Sequence, residues 1–362
     1  MKVIEINKLY HPWIGGVETH VKNIAEGLNK TANVEVVCCN HTNTTITEYI
    51  NDVKVTKYKA IGRLFSLPLS LSFILNLRSH QGDILHFHLP NPLAVLSTFI
   101  TRPKGIIIIT WHSDIVKQKF ILFFYRPLLH WFLKKADHII TTSPNLADKS
   151  TFLTPYRDKI TIIPLGINPH HYPKNEGPTE SQRFALFVGR FIYYKGVIEL
   201  INAMKKTNVH VIMVGEGPLK EHILTQGKEL IQNKRLTLYP FQDTESLNAL
   251  FSRCEFFILP STHPSEAFGI VQLEAMIHSK PVISTNLPTG VPYVNQHNHT
   301  GLIVAPGNVD DLAQAMTTLW TNPSLTSSLG KNAYQRCISH FTEDQMIEKT
   351  KQLFTKALTS KE

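Results

Sequence analysis

The 362 residues contain only four cysteines, Cys38, Cys39, Cys254 and Cys337, with no C-x-x-C and no regular spacing. That excludes a disulfide framework or a cysteine-rich zinc module and fits a reducing compartment. No apolar stretch reaches the roughly 20 residues needed to cross a bilayer. MKVIEINKLY runs straight into strand-like sequence, without a charged n-region and apolar h-region, so no signal peptide is expected. A cytoplasmic protein follows, and the sequon Asn298-His299-Thr300 is incidental. G-x-G-x-x-G is missing, which disfavours a dinucleotide enzyme. RRM, KH and helix-turn-helix patterns are missing too, and the strands lack basic-aromatic interleaving, so nucleic acid is not an expected partner. There is no internal repeat and no low-complexity segment.

What is present is ordinary globular sequence, 43% hydrophobic and 18% charged, long enough for two domains. The net charge of +9 is uneven. Residues 1–165 hold 19 Lys and Arg against 11 Asp and Glu, and the remainder 18 against 17. A basic first half calls for an anionic partner there, such as a phosphate-bearing acceptor or anionic lipid, unless the charge only aids solubility.

Short β-branched runs alternate with helical stretches. VIEINKLY, VEVVCC, VKVTKYKA, DILHFH, GIIIITWH, DHIITTS and KITIIP read as strands, with helices over 17–30, 68–79, 91–102, 118–135 and 144–152. The strands are nearly all apolar, as in a parallel sheet buried on both faces. Cys38 and Cys39, adjacent on one strand, should point to opposite faces. A second series follows: RFALFVGR, NVHVIMVG, RLTLYP, CEFFILP, KPVIST and GLIVAP. Each series predicts a doubly wound α/β domain. The boundaries are 1–165 for the first domain, 166–182 for a Pro- and Gly-rich linker and 183–340 for the second. An amphipathic helix over 341–362 is expected to cross back to the first.

Ligands of open parallel sheets bind beyond the carboxyl ends of the strands, and the candidate residues fall there. Glu266 and Glu274 stand eight apart in SEAFGIVQLEAM, after the run FFILP. One carboxylate lies on the loop and the other about two turns into the next helix. Phe268-Gly269-Ile270 opens that helix, so amide donors face the same space. Carboxylates for hydroxyls and amides for an anion suit a nucleotide sugar. Arg190 and Lys195, five apart after ALFVG, can grip a diphosphate and neutralise a phosphate leaving group. Alone they would be an ordinary basic loop. Gly15-Gly16 marks a strand-to-helix turn where backbone can approach phosphate, although a plain tight turn looks the same. Gly215-Glu216-Gly217-Pro218 is read as mainly structural, and Tyr239-Pro240-Phe241-Gln242 presents backbone groups to a base. His112 ends another strand; by itself it would be a half-buried structural histidine. His86 and His88 share one strand face and suggest metal, but no third ligand has suitable spacing, so they are read as packing.

Taken in order, Gly15-Gly16-Val-Glu-Thr-His, Thr110-Trp-His112-Ser, Gly189-Arg190 with Lys195-Gly196, Gly215-Glu-Gly-Pro, Pro264-Ser-Glu266-Ala-Phe-Gly-Ile-Val-Gln-Leu-Glu274-Ala-Met and Thr300-Gly301-Leu-Ile-Val resemble the retaining GT-B glycosyltransferases of family 4. The resemblance spans essentially the whole chain. It implies two facing Rossmann-like domains with a deep interdomain cleft, an acceptor domain first and a donor domain second. It implies that Gly15 and Gly16 meet the donor diphosphate, that His112 lies beside the transferred sugar, and that Arg190 and Lys195 bind the diphosphate. Glu266 would hold sugar hydroxyls and Glu274 the ribose, with amides supplied by Phe268, Gly269, Ile270 and Val271. It further implies transfer with retention by front-face attack, with no metal or other cofactor. The absence of D-x-D agrees with that. Asn168, Ser279 and Tyr293 depart from the pattern, standing where many relatives carry Asp, Gly and Glu.

The expected reaction moves a hexose, mannose from GDP-mannose, to a glycan or polyprenyl-diphosphate-linked acceptor in lipopolysaccharide, O-antigen or capsule assembly. Alternatives are a UDP-linked hexose or N-acetylhexosamine donor, a GT-B-like epimerase, which should show more acid/base carboxylates, and a non-catalytic nucleotide-sugar binder. KQKFILFFYRPLLHWFLKK over 117–135 is aromatic with cations at both ends. Phe120, Phe123, Phe124, Tyr125 and Trp131 cannot all face one side. With the apolar segment 64–69 they predict a patch resting on the anionic inner membrane, although a helix packed on the sheet would read similarly.

Overall fold

The computed structural model describes residues 1–13, 15–64, 67–115, 119–173 and 182–360, without the side chains of 64 and 119–121. Of the expected features, Phe65, Ser66, Lys117, Gln118, the Phe120 side chain and 174–181 of the linker lie outside the described residues. The chain forms two units, Met1–Leu165 with Glu343–Glu362, and Gly166–Thr342.

The first unit holds β1 (Lys2–Ile6), β2 (Asn33–Cys39), β3 (Ile46–Ile50), β4 (Val53–Tyr58), the short pair β5 (Arg63–Leu64) and β6 (Leu67–Pro68), β7 (Ile84–Leu89), β8 (Ile106–Trp111), β9 (His138–Thr141) and β10 (Ile160–Ile162). Eight of these form one sheet in the order β10-β9-β8-β7-β1-β2-β4-β3. Every pairing is parallel except β3 with β4. The strand order reverses between β1 and β7, which opens a crevice at their carboxyl ends.

Two expectations need correction here. β1 stops at Ile6 rather than running to Tyr10. β3 was missed: its side chains are mostly exposed, so it leaves no apolar run. Asn51 and Asp52, at φ 48° and 64°, form the tight turn into β4, a mirror-image geometry that Asn and Asp tolerate.

Period-two alternation divides the core. Ile4, Ile6, Cys39, Leu85, Phe87, Ile109 and Trp111 enter the cluster on one face. Val3, Cys38, Val36, Ile84, Ile106 and Ile108 enter that on the other, so the adjacent cysteines do part as expected. The second face is covered by the helix Gly16–Asn29 through Val21, Ile24, Ala25 and Leu28. The final helix, Glu343–Thr359, joins it through Met346, Leu353, Phe354 and Ala357. These two helices meet closely: a Cβ at Gly27 would stand 2.2 Å from Ile347 Cδ1.

The helix Lys119–Lys135 divides its aromatic residues. Phe132 is buried, and Tyr125 and Trp131 pack against the core. Phe123 and Phe124 remain 74% and 67% exposed. Among the described residues no helix is long and apolar enough to cross a membrane.

The second unit holds β11 (Ala185–Val188), β12 (Val211–Val214), β13 (Leu236–Tyr239), β14 (Phe257–Leu259), β15 (Val282–Thr285) and β16 (Gly301–Val304). All are parallel, in the order β13-β12-β11-β14-β15-β16. The reversal lies between β11 and β14. The described start of the expected linker is ordered within this unit. Ile167 bridges to Thr342, and the Asn248 amide donates to the His171 carbonyl at 3.0 Å.

Candidate active site

In the second unit the loops leaving β11 and β14 are locked together at the strand-order reversal. Phe191 is buried beneath the first loop; its N–H donates to the Glu216 carbonyl at 2.8 Å and its carbonyl accepts from Leu219 N–H at 3.0 Å. Gly215 and Gly217 permit this bracing, because a Cβ would stand 2.0 Å from the Gly189 carbonyl oxygen and 2.5 Å from that of Phe191. The structural reading of Gly215-Glu216-Gly217-Pro218 thus has a physical basis. A single 3₁₀ turn, Tyr193–Lys195, then leads to Gly196 at φ +67°. A Cβ on Gly196 would lie 1.9 Å from the Pro260 carbonyl oxygen. Only glycine allows the two loops to come this close.

That approach places Lys195 Nζ 2.6 Å from Glu266 Oε2. The same oxygen accepts from the Ser261 hydroxyl at 2.9 Å, and the Ser261 carbonyl accepts from the Thr285 hydroxyl at 2.6 Å. Glu266 is buried, so the ion pair and hydroxyl bond offset its desolvation. Arg190 shares the loop but is exposed, with no side-chain partner among the described residues.

Beyond Glu266, the Phe268 ring is buried against Phe341, with centroids 6.1 Å apart, so only its backbone is free for a ligand. Gly269 sits at φ +69°, where a Cβ would meet Leu259 Cδ2 at 2.6 Å. Gln272 holds the turn by donating from Nε2 to the Phe268 carbonyl at 3.1 Å. The helix runs Val271–Ile277, which puts Glu274 in its first turn rather than two turns in. Gly269 at left-handed φ delays the helix start, and that moves the second carboxylate towards the loop. Burial pushes the Glu274 carboxyl up to about 7, partly offset by the Lys195 ammonium. One cation thus serves two carboxylates.

Phe241 follows β13, the outer strand, and is 77% exposed. It stands apart from the Lys195–Glu266 pair, on the far side of β12. Ser261 and the role of Gly196 were not legible in advance, because each depends on a neighbouring loop.

In the first unit Gly15 caps the helix Gly16–Asn29 at φ −167°, ordinary extended backbone. Its lack of a side chain matters for space instead: a Cβ would lie 2.3 Å from Glu18 Oε2. A Cβ at Gly16 would meet nothing within 4 Å. His112 follows β8 and is buried, but not alone. Glu5, His86, His88 and Thr110 line the same face, and His20 approaches from the helix. His88 Nε2 lies 2.7 Å from Glu5 Oε2, and His88 Nδ1 lies 3.1 Å from His112 Nε2. His86 Nδ1 lies 2.8 Å from Glu5 Oε2, and His86 Nε2 shares a 2.7 Å hydrogen bond with Thr110 Oγ1.

The reading of His86 and His88 as having no third metal-ligand partner is therefore corrected. His20–His88–His112 and Glu5–His86–His88 each gather ligand-type atoms within 4.8 Å. Sequence spacing could not reveal partners drawn from β1, β8 and a helix. A charged Glu5 inside an apolar strand was the available signal.

Residues 14–171 match the family described as Glycosyltransferase Family 4, and 170–336 match Glycosyl transferases group 1. Over its whole length, and all of the relative's, the chain is 31% identical to the O-antigen chain mannosyltransferase C of Escherichia coli. The chain belongs to this glycosyltransferase family. It is also 36% identical to the D-rhamnosyltransferase WbpZ of Pseudomonas aeruginosa, over 77% of this chain and 76% of that one. Its fold is GT-B. A sucrose-phosphate synthase from Thermosynechococcus elongatus superposes with a TM-score of 0.81 at 20% identity, covering 99% of each chain. The Anabaena protein HepE, solved with UDP-glucose, gives 0.75 at 18%, covering 98% of this chain and all of that one. The non-catalytic reading is thereby set aside.

The three departures of this glycosyltransferase have structural counterparts. Asn168 accepts the His170 N–H at 3.0 Å and caps a short turn. Ser279 holds φ +59°, where a glycine would avoid a cost of about 1 kcal/mol. The Tyr293 ring packs edge-on against Phe341 at 5.7 Å and beneath the Arg336 guanidinium at 5.5 Å.

Proposed function

We propose that this glycosyltransferase moves a hexose, mannose from GDP-mannose, onto a glycan or polyprenyl-diphosphate-linked acceptor in O-antigen or related polysaccharide assembly. The observation that carries the reading is the Lys195–Glu266 ion pair where the strand order reverses, with Lys195 also acting electrostatically on Glu274. The mannosyltransferase relative supports the sugar and the pathway class.

In this reading Glu266 accepts hydrogen bonds from sugar hydroxyls and Glu274 from the ribose. The Phe268, Gly269, Ile270 and Val271 backbone serves sugar and phosphate, and Gly15 and Gly16 meet the diphosphate. His112 lies beside the transferred sugar, and Phe241 borders the base. Arg190 and Lys195 balance the leaving diphosphate, doing electrostatically what a metal does elsewhere. Transfer is with retention, and the leaving phosphate helps deprotonate the acceptor.

A second reading, a rhamnose donor, is favoured by the relative 36% identical to this chain. A panel of GDP-mannose, GDP-rhamnose, UDP-glucose and UDP-N-acetylglucosamine, assayed for acceptor-dependent nucleotide release, separates these. Release from GDP-mannose, with an α-linked product by NMR, is expected. Turnover with UDP sugars alone, or inversion at the anomeric carbon, overturns the donor or the mechanism respectively.

Ribose hydroxyls donate to a carboxylate, so nucleotide binding favours the ionised form of Glu274. Nucleoside diphosphate affinity is expected to rise with pH towards about 7 and then level off. The limiting slope below that point is about tenfold per pH unit, and Glu274→Gln should remove this component. Identical calorimetric profiles for wild type and variant between about pH 5.5 and about pH 8 would sink the ribose assignment. Without ligand the same shift opposes stability. The folded chain keeps a proton that the unfolded chain loses above about 4.5, so this contribution declines as pH rises to about 7.

The first unit also exposes Leu71, Leu75, Phe99, Phe123 and Phe124, with Arg102 and Arg126 nearby in sequence and exposed. Apolar side chains beside cations suit an anionic inner-membrane surface. Phe123→Ser with Phe124→Ser should lower binding to anionic liposomes at least tenfold, given about 1.5–3 kcal/mol per buried aromatic side chain. No wild-type flotation at low salt would remove the membrane from the reading.

A further inference from the structure

The buried polar layer behind His112 has a definite proton arrangement. Glu5, His86 and His88 face the same side of β1 and β7, and Thr110 and His112 continue it along β8. Below them the same face is apolar, formed by Val3, Ile84, Ile106 and Ile108. Glu5 is fully buried, and its Oε2 takes the close contacts from His86 and His88. Glu5 Oε2 receives two ring nitrogens at once, at 2.8 and 2.7 Å; with that oxygen as the shared acceptor, His88 carries its proton on Nε2 and donates to Glu5.

Burial, reinforced by the neighbouring His86, holds His88 well below the usual imidazole range, which leaves it neutral with a single N–H. His88 Nδ1 is therefore a bare lone pair. The 3.1 Å contact to His112 Nε2 needs a donor, and only His112 can supply it. His112 is likewise held neutral, chiefly by burial and then by His20 and His88. With its proton on Nε2, its Nδ1 is bare and has no hydrogen-bond partner among the described residues. The His112 backbone is also fixed, its N–H donating to the Leu89 carbonyl at 3.0 Å.

We infer that Glu5 and His88 are positioning residues that hold His112 as the Nε2–H tautomer, so that its bare Nδ1 accepts a hydrogen bond from a hydroxyl of the transferred sugar. The sugar contact rests on the proposed function; the tautomer does not. Orientation through a hydrogen-bonded neighbour is how a buried carboxylate commonly sets an imidazole. Here the carboxylate acts through a second ring. His20 packs nearly perpendicular to both rings, at 5.5 and 5.1 Å between centroids.

The test is two-bond ¹H–¹⁵N correlation on the full chain with ¹⁵N-histidine, paired with transfer kinetics. The wild type should show His88 and His112 both protonated on Nε2 at neutral pH. Glu5→Gln is isosteric, but its carboxamide can present either end to His88. It should mix the two tautomers of His112 and lower kcat roughly 10- to 100-fold with little change in donor KM. His88→Gln should do the same. A wild-type His112 protonated on Nδ1 overturns the inference without needing any variant, and leaves the transferase reading intact. So does stoichiometric zinc in the purified protein whose removal shifts these rings, since the cluster would then be a metal site. An unchanged tautomer and kcat in Glu5→Gln overturns it as well. Near-normal transfer by His112→Ala, with the wild-type tautomer as expected, overturns the sugar contact alone.

Discussion

Lys195→Ala is expected to cut transfer turnover by about 10²- to 10³-fold, the usual cost of deleting a group that meets charge developing in the transition state. Without donor, Lys195 is engaged by Glu266 at 2.6 Å. In the proposed donor site a diphosphate would add negative charge beside this pair, and the half-buried Lys195 ammonium would meet it. Deletion also leaves Glu266 largely buried with only the Ser261 hydroxyl for support, so the melting temperature should fall. Adding Glu266→Gln to Lys195→Ala should restore much of the melting temperature and none of the turnover. Arg190→Ala is the cleaner companion. Its side chain has no partner among the described residues, so stability should stay within about 0.5 kcal/mol while turnover falls by about 10²-fold. Near-normal turnover in both single variants would defeat the assigned site.

Gly196→Ala should be among the most damaging single-methyl changes in the second unit. It sets a side chain in a left-handed backbone and drives Cβ to 1.9 Å from a carbonyl oxygen that cannot step aside. A cost of about 3 kcal/mol is expected, or roughly 6–12 °C in melting temperature for a unit of this size. Donor affinity should fall with it, because separating Gly196 from Pro260 also separates Lys195 from Glu266. Gly16→Ala is the control for the melting temperature alone, since a Cβ there meets nothing within 4 Å. Equal melting temperatures for the two variants would mean that the loops are not locked by this contact.

The parallel strands were legible because each is an apolar run between helical stretches, and their exits marked Arg190, Lys195, Glu266 and Glu274 in advance. What stayed hidden depended on three-dimensional neighbours. β3 is mostly exposed and mixes polar with apolar residues, so its hairpin left only Asn51-Asp52 as a trace. The helix start at Val271 was set by the left-handed turn at Gly269, which no periodicity reports. Lys195 was read as a phosphate ligand, and its resting partner Glu266, some seventy positions later, could not be read from spacing. His86 and His88 looked like packing because the residues completing their surroundings come from three other elements.

The last helix bears on how the protein is made. Glu343–Thr359 is synthesised after the whole second unit, yet Met346, Leu353 and Phe354 close part of the core of the first. Until that helix has been made, Val21, Ile24 and their neighbours on that face lack part of their cover. The nascent first unit is thus an unfinished body during the whole synthesis of the second. A premature stop near residue 342 would strand it in that state, with an apolar face left open to chaperones, proteases and other unfinished chains.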